Sequence, residues 1–516
     1  MTSRIVIIGA GSAMFSLSLI RDLCLTPTLA GSSVVFVDVD AQRLAGAHEL
    51  CRRYAAELGV TLMLEQTTDR RAALRGADFV VNTALVAGHR ALRDGWAIAR
   101  RHGYRMGGSL HVVHDEAFWV NFFQFALFDA VAGDMLELCP DAWLLQVANP
   151  VLAGVTWLGR RYPALKVIGL CHGFMGVYNL ADQLGLPRQG LRFEIPGVNH
   201  FVWLTALEHD GRDVLPLVDR WLAEQAPSYW QHCRSSDGLG PASADLYRRL
   251  GRFPIGDTAT PGGGSWPSWY HADDATERAW HEDPMAWWDE VYFGEAERTV
   301  AKLRRVAEDP AARVTDLVPP GKSGEVMVDV IESIACDLPR VLVGNVLNTG
   351  GFVPGVPVDF AVEVPARVSA AGVEGLGTRR LPPAILARLG PVRTLRQADT
   401  VGLWPADLAA GADGTLFVAD QVRSRVLSWS PAGEPLGEWP AGLLSGPRRL
   451  ALGLFGTEPV VAAIMADGTV EVHLAGDGNL LSSFRPLAGD GGQLDAADLA
   501  VGANGRLYLA DARRRA

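Results

Sequence analysis

Short β-branched runs alternate with longer stretches of helical spacing through the first third of the chain. The runs 4–8, 33–37, 77–84, 143–147 and 165–170 read as strands, and the intervening stretches read as helices. Such alternation predicts a parallel sheet wrapped by helices. The stretch 116–139 is apolar nearly all round, with Phe118, Trp119, Phe122, Phe123, Phe125 and Phe128 along it, so a buried core helix is expected there.

The alternation fades between about 171 and 385 into helices broken by long glycine- and tryptophan-rich loops, above all 254–271. Loops of that length in a compact region are usually functional. After Pro383 the pattern changes again. The segments 405–420, 447–468 and 497–511 resemble one another, with Leu408, Leu450 and Leu499 in equivalent places and Asp-Gly or Asn-Gly turns inside each unit. Repeats of roughly 40–50 residues built from short strands predict propeller blades, and the segment resembles the NHL-repeat propellers. Two to three blades fit, fewer than close a propeller. The expected organisation is therefore α/β: a Rossmann-type doubly wound sheet over 1–170, an α+β metal- and substrate-binding domain over 171–388, and propeller-like blades over 389–516.

Composition narrows the function classes. The 516 residues carry Lys+Arg 47 against Asp+Glu 58, a net charge of -11, with no basic run. A nucleic-acid groove or an anionic membrane surface is thus not the expected partner. Six cysteines show no CxxC spacing, which disfavours a zinc ribbon or disulfide scaffold and suits a reducing, cytoplasmic compartment. No apolar run reaches membrane-spanning length, and the N-terminus reads as a strand rather than a signal peptide.

Gly9-Ala-Gly-Ser12 follows the first strand and precedes a helical stretch. Glycine there permits a tight turn and close backbone approach to a pyrophosphate, which a helix N-terminus stabilises. The third glycine of G-x-G-x-x-G is replaced at Met14 and Phe15. Asp38, at the end of the second strand, is placed to accept the ribose hydroxyls of NAD, and a carboxylate there favours NAD over NADP. Gly9, Gly11, Ser12 and Asp38 are the candidate cofactor residues.

Three polar pairs stand where further strands should end: Asn149-Pro150, Cys171-His172 and Asn199-His200. In open parallel sheets the carboxyl ends of strands border the ligand crevice. Thiolate and imidazole suit a borderline divalent metal, with an amide oxygen as a harder third donor. Taken singly, each pair also fits an ordinary role as buried core or turn.

Gly9-Ala-Gly-Ser12, Val147-Ala-Asn-Pro150, Gly169-Leu-Cys-His-Gly173, Pro196-Gly-Val-Asn-His200, Asn345-Val-Leu-Asn-Thr-Gly-Gly-Phe-Val-Pro-Gly-Val-Pro-Val-Asp359 and Val362-Glu-Val-Pro365 occur in the order found in family 4 of the glycoside hydrolases. The resemblance covers about residues 3–385. The Cys-His-Gly form, His114-Asp-Glu116 and Gly256-Asp-Thr-Ala-Thr-Pro-Gly-Gly-Gly264 are most similar to its α-galacturonidase and α-galactosidase branch. The resemblance implies an NAD- and manganese-dependent glycosidase. In that chemistry hydride leaves C3 of the sugar, a base takes the C2 proton, the glycosidic oxygen is eliminated, water adds at C1 and the hydride returns. By motif position Cys171 and His200 would hold Mn2+ or another divalent metal, Asn149 and Asn199 would contact the α-glycoside, and His172 stands where some relatives carry the proton donor. Asp257, the carboxylate of the glycine-rich loop, is the first candidate for the C2 base, with Tyr270 and His271 behind it. Trp266 and Trp269 suit stacking on a sugar face.

The pattern departs from the family after Leu381-Pro-Pro383, where closing helices are expected and propeller-like repeats stand instead. The family implies a homo-oligomer, and open blade edges offer a further route to association. Two other readings stay open at this point. A lactate- or malate-type 2-hydroxyacid dehydrogenase shares the glycine turn, the ribose Asp and an Asn-Pro, but needs no metal ligands. An inactive NAD- or sugar-binding scaffold would dock a partner through its blades.

Overall fold

The computed structural model describes residues 2–86, 88, 93, 94, 97, 115–232, 238–260, 274–280, 290, 293–389, 405–411, 415–420, 424–430, 435–439, 446–455, 457–487, 496–501 and 506–511. The chain forms two compact units, 1–388 and 389–516.

In the first unit six strands run parallel: β1 (Arg4–Ile8), β2 (Ser33–Val37), β3 (Met63–Thr67), β4 (Phe79–Asn82), β5 (Trp143–Gln146) and β6 (Lys166–Gly169). Their spatial order is 3-2-1-4-5-6, the doubly wound Rossmann order. Buried β-branched residues explain the central strands. Ile5, Val6 and Ile7, Val34 and Phe36, and Val80 and Val81 are almost completely enclosed, with helices on the sheet faces. β3 has no counterpart among the expected strands. It is an edge strand whose Met63 and Glu65 face water, so it lacks the apolar run that marks a central one.

The same sheet continues past residue 170. β7 (Leu191–Glu194) belongs to a small separate sheet with β10 (Ala206–His209) and β11 (Arg212–Asp213). β8 (Gly197–Val198), β9 (Phe201–Leu204), β12 (Phe253–Ile255), β13 (Arg340–Leu347), β14 (Ala361–Ser369) and β15 (Gly372–Gly375) extend the large sheet to twelve strands by antiparallel pairing. Of the strand expected over 195–198, only Gly197–Val198 is formed, as β8, and β7 precedes it as a separate strand. Pro196 lies between β7 and β8, and Gly197 packs so closely on Phe201 that no side chain fits.

The helix Asp115–Leu138 occupies the stretch expected as a fully buried core helix, with one correction. Gln124, Phe128, Val131, Ala132 and Met135 are buried at helical spacing, whereas Phe123 is 50% exposed. One helix on one sheet face buries a stripe, whatever the hydropathy of its outer side. The side chains of Phe118, Trp119 and Phe122 lie outside the described residues. A short helix, Pro383–Leu389, follows Leu381-Pro-Pro383.

Among its described residues the second unit contains two four-stranded antiparallel meanders and a hairpin. The first meander is β16 (Pro405–Ala410), β17 (Leu416–Asp420), β18 (Arg425–Trp429) and β19 (Pro435–Glu438). The second is β20 (Pro447–Phe455), β21 (Glu458–Met465), β22 (Val470–Leu474) and β23 (Leu480–Phe484), and the hairpin pairs β24 (Ala496–Val501) with β25 (Leu507–Asp511). The repeats seen in the sequence map one to a sheet. Each first strand shifts register at the same place, between 405 and 407, 447 and 449, and 496 and 498. These first strands lie beside one another: the Asp407 carboxylate accepts from Leu450 N at 2.7 Å, and Arg448 donates to Ala496 O at 2.8 Å.

Candidate active site

At the carboxyl end of β1 the chain turns through Gly9 into helix α1 (Ala13–Cys24). Gly9 has φ +86°, and a Cβ there would lie 2.6 Å from the Ala84 backbone after β4, so only glycine fits. Gly11 N donates to Asp38 Oδ2 at 2.8 Å, and Asp40 N donates to Asp38 Oδ1 at 3.0 Å. Ser12 is the N-cap residue of α1, and its side chain makes no cap bond. The first N–H groups of α1 thus stand without a side-chain cap at the end of β1, an arrangement suited to an anion. Gly9, Gly11 and Ser12 therefore form one turn, and Asp38, just past β2, is bonded to it.

The second cluster lies at the carboxyl end of β6. Leu170 leads from this strand into Cys171-His172, and the loop turns into the helix Met175–Gln183. His200 arrives from the two-residue turn between β8 and β9, where Gly197 pairs with Val202 and Val198 with Phe201. It has φ +61° and is 9% exposed. A left-handed non-glycine residue is costly and persists only where its surroundings impose it.

Asp257 comes from the short 3-10 helix Gly256–Ala259. Gly256, at φ +55°, lies so near Gly173 that a Cβ would fall 2.3 Å from its carbonyl oxygen, which brings this loop onto the Cys171 turn. Thr258 Oγ1 ties it to the His200 hairpin by accepting from Val202 N at 2.8 Å.

Cys171 Sγ lies 3.6 Å from His200 Nε2, and Asp257 Oδ2 lies 3.2 Å from the same nitrogen. All three donor atoms fall within 4.8 Å of one another. Burial first, then the negative charges of Glu363 and Asp257, push the Cys171 thiol well above its usual range, against hydrogen bonds from Gly173 and Asn199. Burial lowers the His200 pKa against the pull of Asp257, which favours the neutral imidazole that coordinates metals. Sulfur, imidazole and carboxylate converging with little to neutralise them fit a borderline divalent cation.

Asn199, expected as a sugar contact, is fully buried. Its Nδ2 donates to Glu363 Oε2 at 2.8 Å, and Asn345 Nδ2 donates to the same oxygen at 3.1 Å. It therefore braces the His200 turn from behind. Burial raises the Glu363 pKa, while the two amide bonds oppose that rise. Glu363 was legible as the lone carboxylate in the otherwise apolar run 361–364 and as part of a quoted motif, but nothing local showed its partners. Asn149, three residues past β5, is partly buried at the same carboxyl edge of the sheet.

His172, the residue after Cys171, has a side chain 68% exposed. Its Nδ1 lies 3.2 Å from Glu325 Oε1. That hydrogen bond, with the charge of Glu325 behind it and burial opposing, pushes its pKa up to about 9. Glu325 belonged to no motif. Tyr270, His271, Trp266, Trp269, Gly262 to Gly264 and His114 lie outside the described residues.

Comparison with known proteins gives this geometry a family. Residues 4–186 match the family 4 glycosyl hydrolases, and 195–397 match the C-terminal domain of that family. The chain is 31% identical to an α-galactosidase of Bacillus subtilis over 43% of its own length, a match spanning about half (51%) of that relative. It is 26% identical to an α-glucosidase of Erwinia rhapontici, over 75% of this chain and 86% of the relative. A solved 6-phospho-α-glucosidase from gut microorganisms, in complex with NAD and Mn2+, shares the fold with a TM-score of 0.62 at 20% identity, covering 75% of this chain and 86% of that one. Among the described residues no helix is long and apolar enough to cross a membrane. From the glycine turn at β1 to the helix after Leu381-Pro-Pro383, the chain belongs to family 4 of the glycosyl hydrolases.

Proposed function

We propose that the chain is an NAD- and Mn2+-dependent glycosidase acting on α-galactosides, α-galacturonides or related α-glycosides. The observation that carries the reading is the convergence of Cys171, His200 and Asp257 at the same carboxyl edge of the sheet as the Gly9 turn. A simple 2-hydroxyacid dehydrogenase has no use for such a donor set. The names of the relatives, α-galactosidase and α-glucosidase, and the solved complex with NAD and Mn2+ support the same choice.

When bound, the nicotinamide would supply reversible oxidation at the sugar C3, and the ion would supply Lewis-acid polarisation of the adjoining oxygens. The uncapped N-terminus of α1 would take the cofactor pyrophosphate, and Asp38 would accept the ribose hydroxyls. Cys171, His200 and Asp257 would hold the ion, with the remaining positions open to substrate oxygens. Asp257 is thereby given a ligand's place rather than the base expected from the sequence, because one of its oxygens faces His200 and the other accepts from Thr260 at 3.3 Å. Asn149 would orient the sugar. His172 would give a proton to the glycosidic oxygen as its bond to C1 breaks.

Purified protein with NAD, Mn2+ and a reductant, assayed on aryl α-galactoside and α-galacturonide in heavy water, tests this function. Deuterium at C2 of the product and loss of turnover on chelation are expected. Unlabelled product after complete turnover would refute the elimination route, and net NADH formation from a 2-hydroxy acid would favour the dehydrogenase.

For the second unit, the shared register shift and the side-by-side first strands support blades of an NHL-like propeller. We propose a cytoplasmic protein in which this unit serves association between copies or docking of a partner.

A further inference from the structure

The imidazole of His172 is held from one side only. Its Nδ1 faces Glu325 Oε1 at 3.2 Å, and among the described residues its Nε2 makes no hydrogen bond. Glu325 is 17% exposed, on a segment that joins the helix Val314–Leu317 to the helix Met327–Ala335. This segment is anchored to the dinucleotide half of the unit. Ser323 N donates to Asp22 Oδ1 of α1 at 2.7 Å, Ser323 Oγ also bonds the Asp22 carboxylate, and Lys322 Nζ donates to Thr26 Oγ1 at 2.6 Å. Ser323 Oγ in turn accepts from Glu325 N at 3.0 Å. Asp22 is 1% exposed, so the chain of contacts from α1 to the imidazole starts from a fixed point.

A mostly exposed imidazole otherwise samples several rotamers and either ring tautomer. A carboxylate on Nδ1 selects one orientation and places the proton of that nitrogen. We infer that Glu325 is a positioning residue for His172, fixing the ring through Nδ1 so that Nε2 is the nitrogen available to the departing glycosidic oxygen. The inference rests on the proposed role of His172 as proton donor. In the balanced step a general base takes the C2 proton, the pair left by the C2–H bond forms the C1–C2 double bond, and the C1–O pair leaves with the glycosidic oxygen, which takes the Nε2 proton of the imidazolium and leaves a neutral ring with its proton on Nδ1.

A departing nitrophenolate needs no proton, whereas a departing alkoxide does. Wild type, Glu325→Ala, Glu325→Gln and His172→Ala are therefore compared on 4-nitrophenyl and methyl α-galactoside with NAD and Mn2+ present. The Ala variant at 325 should lose about 10–100-fold in kcat on the methyl glycoside with little change on the nitrophenyl one, and the Gln variant, which keeps an acceptor, should recover most of the loss. Ring-15N NMR of the unloaded protein gives a readout independent of turnover. With the His172 signals identified by their absence in His172→Ala, a hydrogen-bonded Nδ1–H should be seen in wild type and lost in Glu325→Ala.

Equal losses on both substrates in Glu325→Ala, or an unchanged Nδ1 signal, overturn the inference. If His172→Ala discriminates between the leaving groups while Glu325→Ala does not, the donor assignment stands and the role of Glu325 falls. If His172→Ala does not discriminate, the donor assignment itself falls and takes this inference with it.

Discussion

Replacing Asp38 by Ala removes a carboxylate that accepts two backbone bonds and, on the proposed function, would also hold the NAD ribose. Oδ2 accepts from Gly11 N at 2.8 Å inside the cofactor turn, and Oδ1 accepts from Asp40 N at 3.0 Å in water-exposed surroundings. Water replaces the second bond at little cost. The first leaves a partly buried N–H without its acceptor, so unfolding stability should fall by about 1–2 kcal/mol, the lower part of the range for an unsatisfied buried donor. Loss of the ribose acceptor should weaken NAD by a further ~1–3 kcal/mol, which is about 5–150-fold in Kd. Asp38→Asn keeps one acceptor oxygen and should restore most of the stability but only part of the affinity. Calorimetric titration with NAD and NADP, beside urea unfolding of the same samples, measures both quantities. A stability loss with unchanged NAD affinity, or a wild-type preference for NADP, would refute the cofactor assignment and leave Asp38 as a brace for the Gly11 turn.

Cys171→Ser, His200→Ala and Asp257→Asn should each lower manganese retained after dialysis by at least about tenfold while preserving the far-UV circular dichroism spectrum. Normal metal content in Asp257→Asn would return that residue to the base's role. In wild type, manganese affinity should rise with pH, because Cys171 must shed a proton to bind and burial holds its pKa well above the usual value. A further prediction concerns Glu57, which accepts from Val314 N and Thr315 N, each at 2.8 Å, and from Thr315 Oγ1 at 2.6 Å. Burial raises its pKa, but these bonds outweigh it and leave the carboxyl below its ordinary value. Its contribution is therefore present above the ordinary carboxylate range and lost as pH falls through the lowered value. Glu57→Gln should cost about 1–2 kcal/mol in urea unfolding at pH 7 and progressively less in acid. A difference independent of pH would contradict the assignment.

The sequence by itself determined the parallel core, because β1, β2, β4, β5 and β6 are buried on both faces and leave apolar runs that no other element needs. It also determined the glycine turn, whose chemistry is local, and the repeat in the last third, where each unit carries its own strand and turn residues. Tertiary structure alone decided what these pieces make together. β3 was hidden because an edge strand is not required to be apolar, and the outer face of the helix Asp115–Leu138 is exposed because a sheet covers only one side of it. Cys171, His200 and Asp257 each carried a candidate role in the sequence, but their convergence needed the antiparallel extension of the sheet and the contact of Gly256 with Gly173. The bond of Asn199 to Glu363 was not legible because the two residues lie 164 positions apart along the chain. Glu325 left no trace in the sequence for the same reason: its partner is 153 residues earlier (325 − 172), and only folding makes them neighbours. Local chemistry is written in contiguous residues, whereas the geometry of a site depends on contacts between distant ones.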